Sequence, residues 1–172
     1  MSGVVGAWLP PAQDEQLLQQ LAPMLRALQQ RGRGRIGYWT DAEAGLALGH
    51  CRAPTDTPLQ PLSSDCGRYV LCLDGRLYNR ADLQAQLRDL PRSCSDARLL
   101  LQAIVEWGVQ RALSRIEGAF GFSVWDRESR VLWLARDPVG ERPLYYGWYQ
   151  GQFLFASELK ALQAFAEHFK DN

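Results

Sequence analysis

The chain has 172 residues, a length that fits one domain able to bury a substantial core. Hydrophobic residues make up 47% of it and charged residues 22%, which is typical of a globular protein and excludes a largely disordered one. Nineteen basic residues balance nineteen acidic ones, so no net charge favours nucleic acid or an anionic membrane. The sequence contains neither an apolar run of membrane-spanning length nor a secretory signal. We therefore expect a cytoplasmic protein with no nucleic-acid or membrane partner.

The chain opens with Met-Ser-Gly-Val-Val-Gly, and these small and β-branched residues predict a first strand. Because Ser2 is small, we expect Met1 to be removed, which would leave the α-amine and the hydroxyl on one residue. An N-terminal amine can act as a base toward the side chain of its own residue. Two interpretations follow from these residues alone: Ser2 is an N-terminal nucleophile, or it is a small residue tolerated before a strand.

The cysteines do not form a recognisable metal-binding pattern. There are four of them, without a Cys-x-x-Cys pair and with only two histidines in the chain. A structural zinc site needs four clustered ligands of these types. We therefore predict reduced thiols and no metal site.

The first third of the chain predicts a helix and two strands. Leucines at helical spacing predict a helix over residues 12–31, which Pro23 should kink or divide. Strands are predicted over residues 36–40 and 44–52, and a loop with three prolines over residues 53–65.

A short basic run lies between that helix and the first of those strands. Arginine and glycine alternate over residues 31–35, a composition that can bind RNA as a disordered segment or simply form a loop. Nothing else in the chain supports nucleic-acid binding, so we predict a loop.

Alternating and then apolar residues over 67–73 predict a strand that ends in a turn at Asp74-Gly75. A helix is expected over residues 80–90. Ser95 is a good N-cap for the next helix, and Asp96 falls in its first turn, where the helix dipole favours a carboxylate. The remaining predicted elements are a helix over 109–116, hairpins over 119–135 and 144–156, and an apolar-striped helix over 157–169, which either packs on its own sheet or docks a partner.

Several motifs resemble the glutaminase domain of the asparagine synthetase family. They are Leu-Asp-Gly-Arg-Leu-Tyr-Asn (73–79), Ser95-Asp96, Ile-Glu-Gly-Ala-Phe-Gly-Phe-Ser-Val-Trp-Asp (116–126), Leu-Ala-Arg-Asp-Pro-Val-Gly-Glu-Arg-Pro-Leu-Tyr-Tyr (134–146) and Phe-Ala-Ser-Glu-Leu-Lys-Ala-Leu (155–162). They occur in the family's order and cover essentially the whole chain.

The resemblance implies a class II glutamine amidotransferase, a single domain over residues 1–172. Its implied fold is α+β: an N-terminal-nucleophile hydrolase fold, a four-layer αββα sandwich with two antiparallel sheets. In such domains, ammonia released from glutamine travels to an ATP-dependent synthetase domain. The Ser-Gly-Gly-x-Asp-Ser loop of that domain is absent from the chain. The implied partners are glutamine or a similar amino acid and a synthetase domain or subunit, and a homodimer is a further alternative. ATP and magnesium are expected only on the synthetase, with no cofactor in this domain.

The resemblance also assigns residue roles. The family's nucleophilic Cys corresponds to Ser2, Arg52 would bind the α-carboxylate of glutamine, and Asp96 its α-ammonium group. The Asp74 side chain and the Gly75 backbone N–H would form the oxyanion hole. The implied sites are therefore catalytic Ser2, Asp74 and Gly75, and substrate-binding Arg52, Asp74, Gly75, Arg76 and Asp96.

The sequence departs from the family's pattern at the reacting groups. Ser2 replaces Cys, Asp74 replaces Asn, and Arg31-Gly32-Arg33-Gly34 replaces Arg-Gly-Pro-Asp. Loss of one oxyanion donor typically costs about 2.7–4 kcal/mol. An ionised Asp74 would also repel the oxyanion, whereas a protonated one could still donate.

Two hypotheses follow. The domain is degenerate and kept for structure, glutamine binding or contact with a synthetase, or Ser2 is an active nucleophile that releases ammonia for an asparagine-synthetase-like reaction. In the second, Ser2 is either native or an engineered replacement of Cys. A further alternative is that Cys51 supplies a thiol, although strand alternation should point it away from the face of Arg52.

Overall fold

The structure is a computed structural model that describes residues 2–29, 34–52, 59–88, 90–91 and 93–170. It divides into two compact units, one formed by Met1–Pro61 with Pro143–Asn172 and one by Leu62–Arg142. Met1, most of the basic run and the first part of the predicted proline-rich loop lie outside the described residues. Among the described residues, no helix combines the length and apolarity needed to cross a membrane.

The secondary structure elements, in chain order, are β1 (Gly3–Trp8), α1 (Asp14–Gln29), β2 (Ile36–Asp41), β3 (Leu46–Cys51), β4 (Leu62–Ser63), β5 (Tyr69–Leu77), α2 (Arg80–Gln86), α3 (Asp96–Trp107), α4 (Val109–Leu113), β6 (Gly118–Asp126), β7 (Val131–Arg136), β8 (Tyr145–Tyr149), β9 (Gln152–Ala156) and α5 (Leu159–His168).

The first unit contains a five-stranded antiparallel sheet in the order β2-β3-β1-β9-β8. One face of the sheet packs against α1 and α5 and forms a core with them. Side chains of β1 point alternately into this core and to the opposite face of the sheet. Leu21 and Leu28 of α1 and Phe165 of α5 are buried in this core. The sheet therefore holds β1 at its centre, between β3 and β9.

Two helix predictions for this unit can be compared with the structure. Pro23 lies inside α1 without dividing it, since the buried stripe of leucines packs along the whole helix. The C-terminal helix begins at Leu159 rather than residue 157, and its buried Ala161 and Phe165 confirm packing within its own unit.

The second unit contains a four-stranded antiparallel sheet in the order β4-β5-β6-β7, packed against helices α2, α3 and α4. The predicted turn at Asp74-Gly75 is wrong, because β5 runs without interruption through both residues to Leu77. Its nine residues pair with β6 from Tyr69, opposite Asp126, to Leu77, opposite Gly118. Ladder pairing across the sheet thus overrides the local turn preference of the dipeptide.

Other boundaries in this unit shift by a few residues. Leu62–Ser63, predicted as loop, pair with Leu71 and Val70 as the short strand β4. Helix α2 ends at Gln86 instead of residue 90, because Leu87 is extended. Ser95 caps α3 as predicted, its hydroxyl accepting a hydrogen bond from the Arg98 N–H at 3.2 Å.

Candidate functional site

Ser2 and Arg52 lie at neighbouring ends of two paired strands. β1 begins directly after Ser2, β3 ends directly before Arg52, and Gly3 is paired with Cys51. The antiparallel register therefore brings the predicted nucleophile position and the predicted carboxylate-binding residue together at the same end of two neighbouring strands inside the first unit's sheet.

The start of β1 is held by a serine from the end of β9. The Val4 N–H donates to Oγ of Ser157 at 2.9 Å, and the Ser157 N–H donates to the Val4 carbonyl at 2.8 Å. Ser157 is fully buried, so both bonds are shielded from water. A side chain at Gly3 would lie 3.3 Å from Leu28 Cδ2, so α1 packs closely against this strand end. These contacts fix the backbone that carries Ser2.

Arg52 has an unused donor. Its backbone N–H donates to the carbonyl of Arg35 at 3.1 Å, which holds the residue beside β2. Nε of its guanidinium is buried and has no hydrogen-bond acceptor among the described residues. An unsatisfied buried donor costs about 1–3 kcal/mol, and an anion bound at the guanidinium would relieve that cost.

Cys51 is placed differently from its neighbour Arg52. Its side chain packs in the core shared with α1, and burial raises the pKa of its thiol. A buried thiol with a raised pKa remains protonated at neutral pH and is a poor nucleophile. The structure therefore gives no support to Cys51 as a replacement for the N-terminal nucleophile.

Asp74 is a buried carboxylate on the face of β5 opposite the helical core. Leu73 and Leu77 face that core, so alternation directs Asp74 and Arg76 to the other face. Asp74 is fully buried, whereas Arg76 is exposed. Nη1 of Arg142 lies 3.9 Å from Oδ1 of Asp74, so a cation stands beside this carboxylate.

Gly75 adopts a backbone conformation that few other residues accept. Its φ is +150°, and an added Cβ would lie 2.2 Å from the carbonyl oxygen of Ala119. The residue is therefore required to be glycine even though it lies inside a strand. Gly75 is therefore needed for a distorted position inside a strand and not for the predicted turn.

Asp137 organises the loop after β7. The sequence analysis includes this residue in the 134–146 motif but predicts no role for it. Oδ1 accepts the N–H groups of Gly140 at 2.6 Å and Glu141 at 3.0 Å. Oδ2 accepts those of Phe120 and Arg142, at 3.2 and 3.1 Å. Burial acts to raise the pKa of this carboxyl, but the four N–H donors outweigh burial and lower it. Asp137 thereby fixes the backbone from which Arg142 reaches Asp74.

Asp96 joins α3 to the end of β5. Its Oδ2 accepts the N–H of Leu77 at 2.9 Å, and its Oδ1 forms an ion pair with the guanidinium of Arg80. The second guanidinium nitrogen of Arg80 donates to the carbonyl of Cys94 at 2.6 Å. The fold thus places Asp96 beside the strand that carries Asp74 and Gly75, and it adds Arg80, a partner that sequence reasoning missed.

Comparison with known proteins identifies the family. A sequence model described as the glutamine amidotransferase domain matches residues 1–171. The chain belongs to this family of glutamine amidotransferase domains. The resemblance to class II amidotransferases is therefore confirmed.

Curated relatives of this amidotransferase domain include two proteins of Bacillus subtilis (strain 168). Glutamine-hydrolyzing asparagine synthetase 1 is 31% identical over 94% of this chain and 26% of its own length. Glutamine-hydrolyzing asparagine synthetase 3 is 31% identical over 95% of this chain and 28% of its own length. The chain thus spans about a quarter of the length of the relatives it matches.

A solved structure confirms the fold class. Glutamine phosphoribosylpyrophosphate amidotransferase from B. subtilis, complexed with ADP and GMP, is similar with a TM-score of 0.79 and 25% identity, over 95% of this chain and 43% of that one. The amidotransferase domain accordingly has the predicted α+β N-terminal-nucleophile hydrolase fold, with two antiparallel sheets and their helices.

Proposed function

We propose that this amidotransferase domain binds glutamine but hydrolyses it weakly or not at all, and that it acts beside an ATP-dependent synthetase domain or subunit. The names of the curated relatives, glutamine-hydrolyzing asparagine synthetases, support the choice of ligand and partner. Their greater length leaves room for a synthetase region in those proteins. A cytoplasmic location, as expected from the sequence, is part of this proposal.

Arg52 supports glutamine binding. Its buried Nε has no acceptor among the described residues, and a carboxylate can accept two parallel bonds from a guanidinium. In this proposal, the α-carboxylate of the ligand accepts hydrogen bonds from Arg52 at the strand end beside Ser2.

Asp74 is the observation that carries the proposal of weakened chemistry. Attack on the side-chain amide of glutamine creates an oxyanion, which needs hydrogen-bond donors. A buried carboxylate beside a guanidinium is an acceptor and repels the oxyanion instead. Ser2 adds to the loss, since a hydroxyl is harder to activate than the thiol expected at that position.

A second candidate is an active amidohydrolase, and Gly75 favours it. Gly75 has a φ of +150°, a conformation that few other residues accept, and its N–H is the backbone donor that the resemblance assigns to the oxyanion hole. In this case the α-amine of Ser2 takes the hydroxyl proton, Oγ attacks the amide carbon, and the C–N bond breaks as the amine passes the proton to the leaving NH2 group, which departs as ammonia. Water, deprotonated by the same amine, then hydrolyses the ester on Ser2, which releases glutamate and restores the hydroxyl.

Calorimetry with L-glutamine, combined with an assay for ammonia, tests the proposal. We expect glutamine to bind, Arg52→Ala to abolish binding, and Arg26→Ala, an exposed arginine on α1, to leave it unchanged. Ammonia release should stay at background and be insensitive to Ser2→Ala. Steady release that Ser2→Ala removes would favour the second candidate, and the mass of the intact chain would show whether Met1 has been removed, as that route requires.

A further inference from the structure

The resemblance assigns the carboxylate of Asp96 to the α-ammonium group of an amino-acid ligand. In this structure, Arg80 binds that carboxylate. Its guanidinium forms an ion pair with Oδ1 of Asp96 and also donates to the Cys94 carbonyl at 2.6 Å. The other oxygen of Asp96 accepts the Leu77 N–H at 2.9 Å. Both oxygens of the carboxylate are therefore engaged by groups of the chain itself.

The position of Arg80 is fixed by the residue before it. The Asn79 side chain donates to the carbonyl of Arg115 at 2.8 Å and accepts the N–H of Glu117 at 3.0 Å. These bonds anchor the start of α2, from which Arg80 extends. The side chain of Arg80 is 33% exposed and that of Asp96 is 17% exposed, so the pair is partly shielded from water. The pair is thus a built feature of this unit and differs from a fully exposed surface ion pair.

A guanidinium keeps its charge at every physiological pH. An α-ammonium group that approached Asp96 would meet a carboxylate that is already neutralised, with a second cation beside it. It would have to displace Arg80, which loses a charge-assisted hydrogen bond, or share the carboxylate with it, which places two cations beside one carboxylate.

We propose that Arg80 is a specificity-determining residue that disfavours ligands with an α-ammonium group. Compared with glutamine, Arg80 favours ω-amides that keep the carboxylate but lack the α-amine, such as the monoamide of pentanedioic acid. This inference rests on the proposed function and on the role in glutamine binding that the resemblance implies for Asp96.

Calorimetry on the full chain tests the inference with two probes, L-glutamine and the monoamide of pentanedioic acid. Arg80→Met keeps the apolar stem and removes the charge, and Arg80→Gln serves as a second variant if the first does not fold. Each should tighten L-glutamine binding at least about tenfold and change binding of the monoamide by less than about threefold. Arg111→Met, an exposed arginine on α4, is the matched control and should change neither. In an Asp96→Asn background, removing Arg80 should no longer tighten glutamine.

The possible results separate this inference from the proposed function. Equal glutamine affinity in the wild type and both Arg80 variants, with binding still lost in Arg52→Ala, would overturn the inference and leave the proposed function standing. Equal tightening of both probes would also overturn it, because the effect would not depend on the ammonium group. If neither probe bound any variant, the proposed function would fail, and the inference with it.

Discussion

The guanidinium of Arg142 lies 3.9 Å from the carboxylate of Asp74, whose side chain is 1% exposed. Arg142 is itself 26% exposed, and its backbone N–H is held by Asp137. The carboxylate thus lies beside a cation on a fixed loop. In the proposal of weakened chemistry, an ionised Asp74 beside this cation accepts hydrogen bonds at the position where the resemblance implies a donor to the oxyanion.

Removing the cation should destabilise the fold. We expect Arg142→Met to lower the free energy of unfolding by about 1–3 kcal/mol, because a buried carboxylate loses a neighbouring positive charge. In an Asp74→Asn background the same substitution should cost at least about 1 kcal/mol less. Urea denaturation of the wild type, the two single variants and the double variant measures this coupling, with Arg136→Met, an exposed arginine at the end of β7, as a control. Purely additive effects would show that the two side chains do not interact.

Gly75 provides a test of the distorted strand. Gly75→Ala should lower the free energy of unfolding by about 3 kcal/mol or more, since both the backbone conformation and the contact with the Ala119 carbonyl oppose a Cβ. Gly67→Ala is a matched control, because Gly67 also has a positive φ, +73°, but has open space around it. It should cost only about 1 kcal/mol. Similar costs for the two variants in thermal or urea denaturation would contradict the close approach at Gly75.

Asp126 should make stability depend on acidic pH. Burial acts to raise the pKa of its carboxyl, but Arg68, bonded to both oxygens at 2.9 and 2.8 Å, and the N–H groups of Glu128 and Ser129 outweigh burial and lower the pKa to about 2. The folded pKa is below the unfolded value of about 3.9, so the stabilisation is complete above pH 4 and is lost as pH falls toward 2.

The expected contribution is about 1–2 kcal/mol at neutral pH, reduced by the exposure of Arg68. Asp126→Asn should remove it and flatten the dependence of unfolding free energy on pH between 4 and 2. Asp82→Asn, on the exposed face of α2, should keep the wild-type slope. The interpretation fails if Asp126→Asn retains that slope.

The elements that were predicted correctly are those that depend on residues close together in the sequence. The Ser95 cap followed from its side-chain chemistry, and the hairpins β6-β7 and β8-β9 followed from strand patterns on either side of short turns. The prediction of a turn at Asp74-Gly75 was wrong because these residues pair with β6, which lies more than forty residues later in the chain. A glycine that tolerates positive φ fits a turn and a distorted strand equally well.

The candidate site was predicted only in part. The resemblance implied roles for Ser2, Arg52, Asp74, Gly75 and Asp96, which remain predictions, and the structure pairs the strand ends that carry Ser2 and Arg52. The ion pair of Asp96 with Arg80 joins residues sixteen apart through their side chains, and no sequence periodicity encodes such a contact. The four bonds of Asp137 similarly depend on a loop conformation that the motif marks but does not describe.

The most direct test of weakened hydrolysis is the rate of ammonia release from glutamine by Asp74→Asn compared with the wild type. The amide supplies a donor where the carboxylate supplied only acceptors, so we expect the rate to rise by roughly 10²–10³. Ser2→Ala in the Asp74→Asn background should abolish the gain, which would assign the chemistry to Ser2. An Asp74→Asn protein that folds and binds glutamine but releases ammonia no faster than the wild type would contradict the assignment of the defect to Asp74.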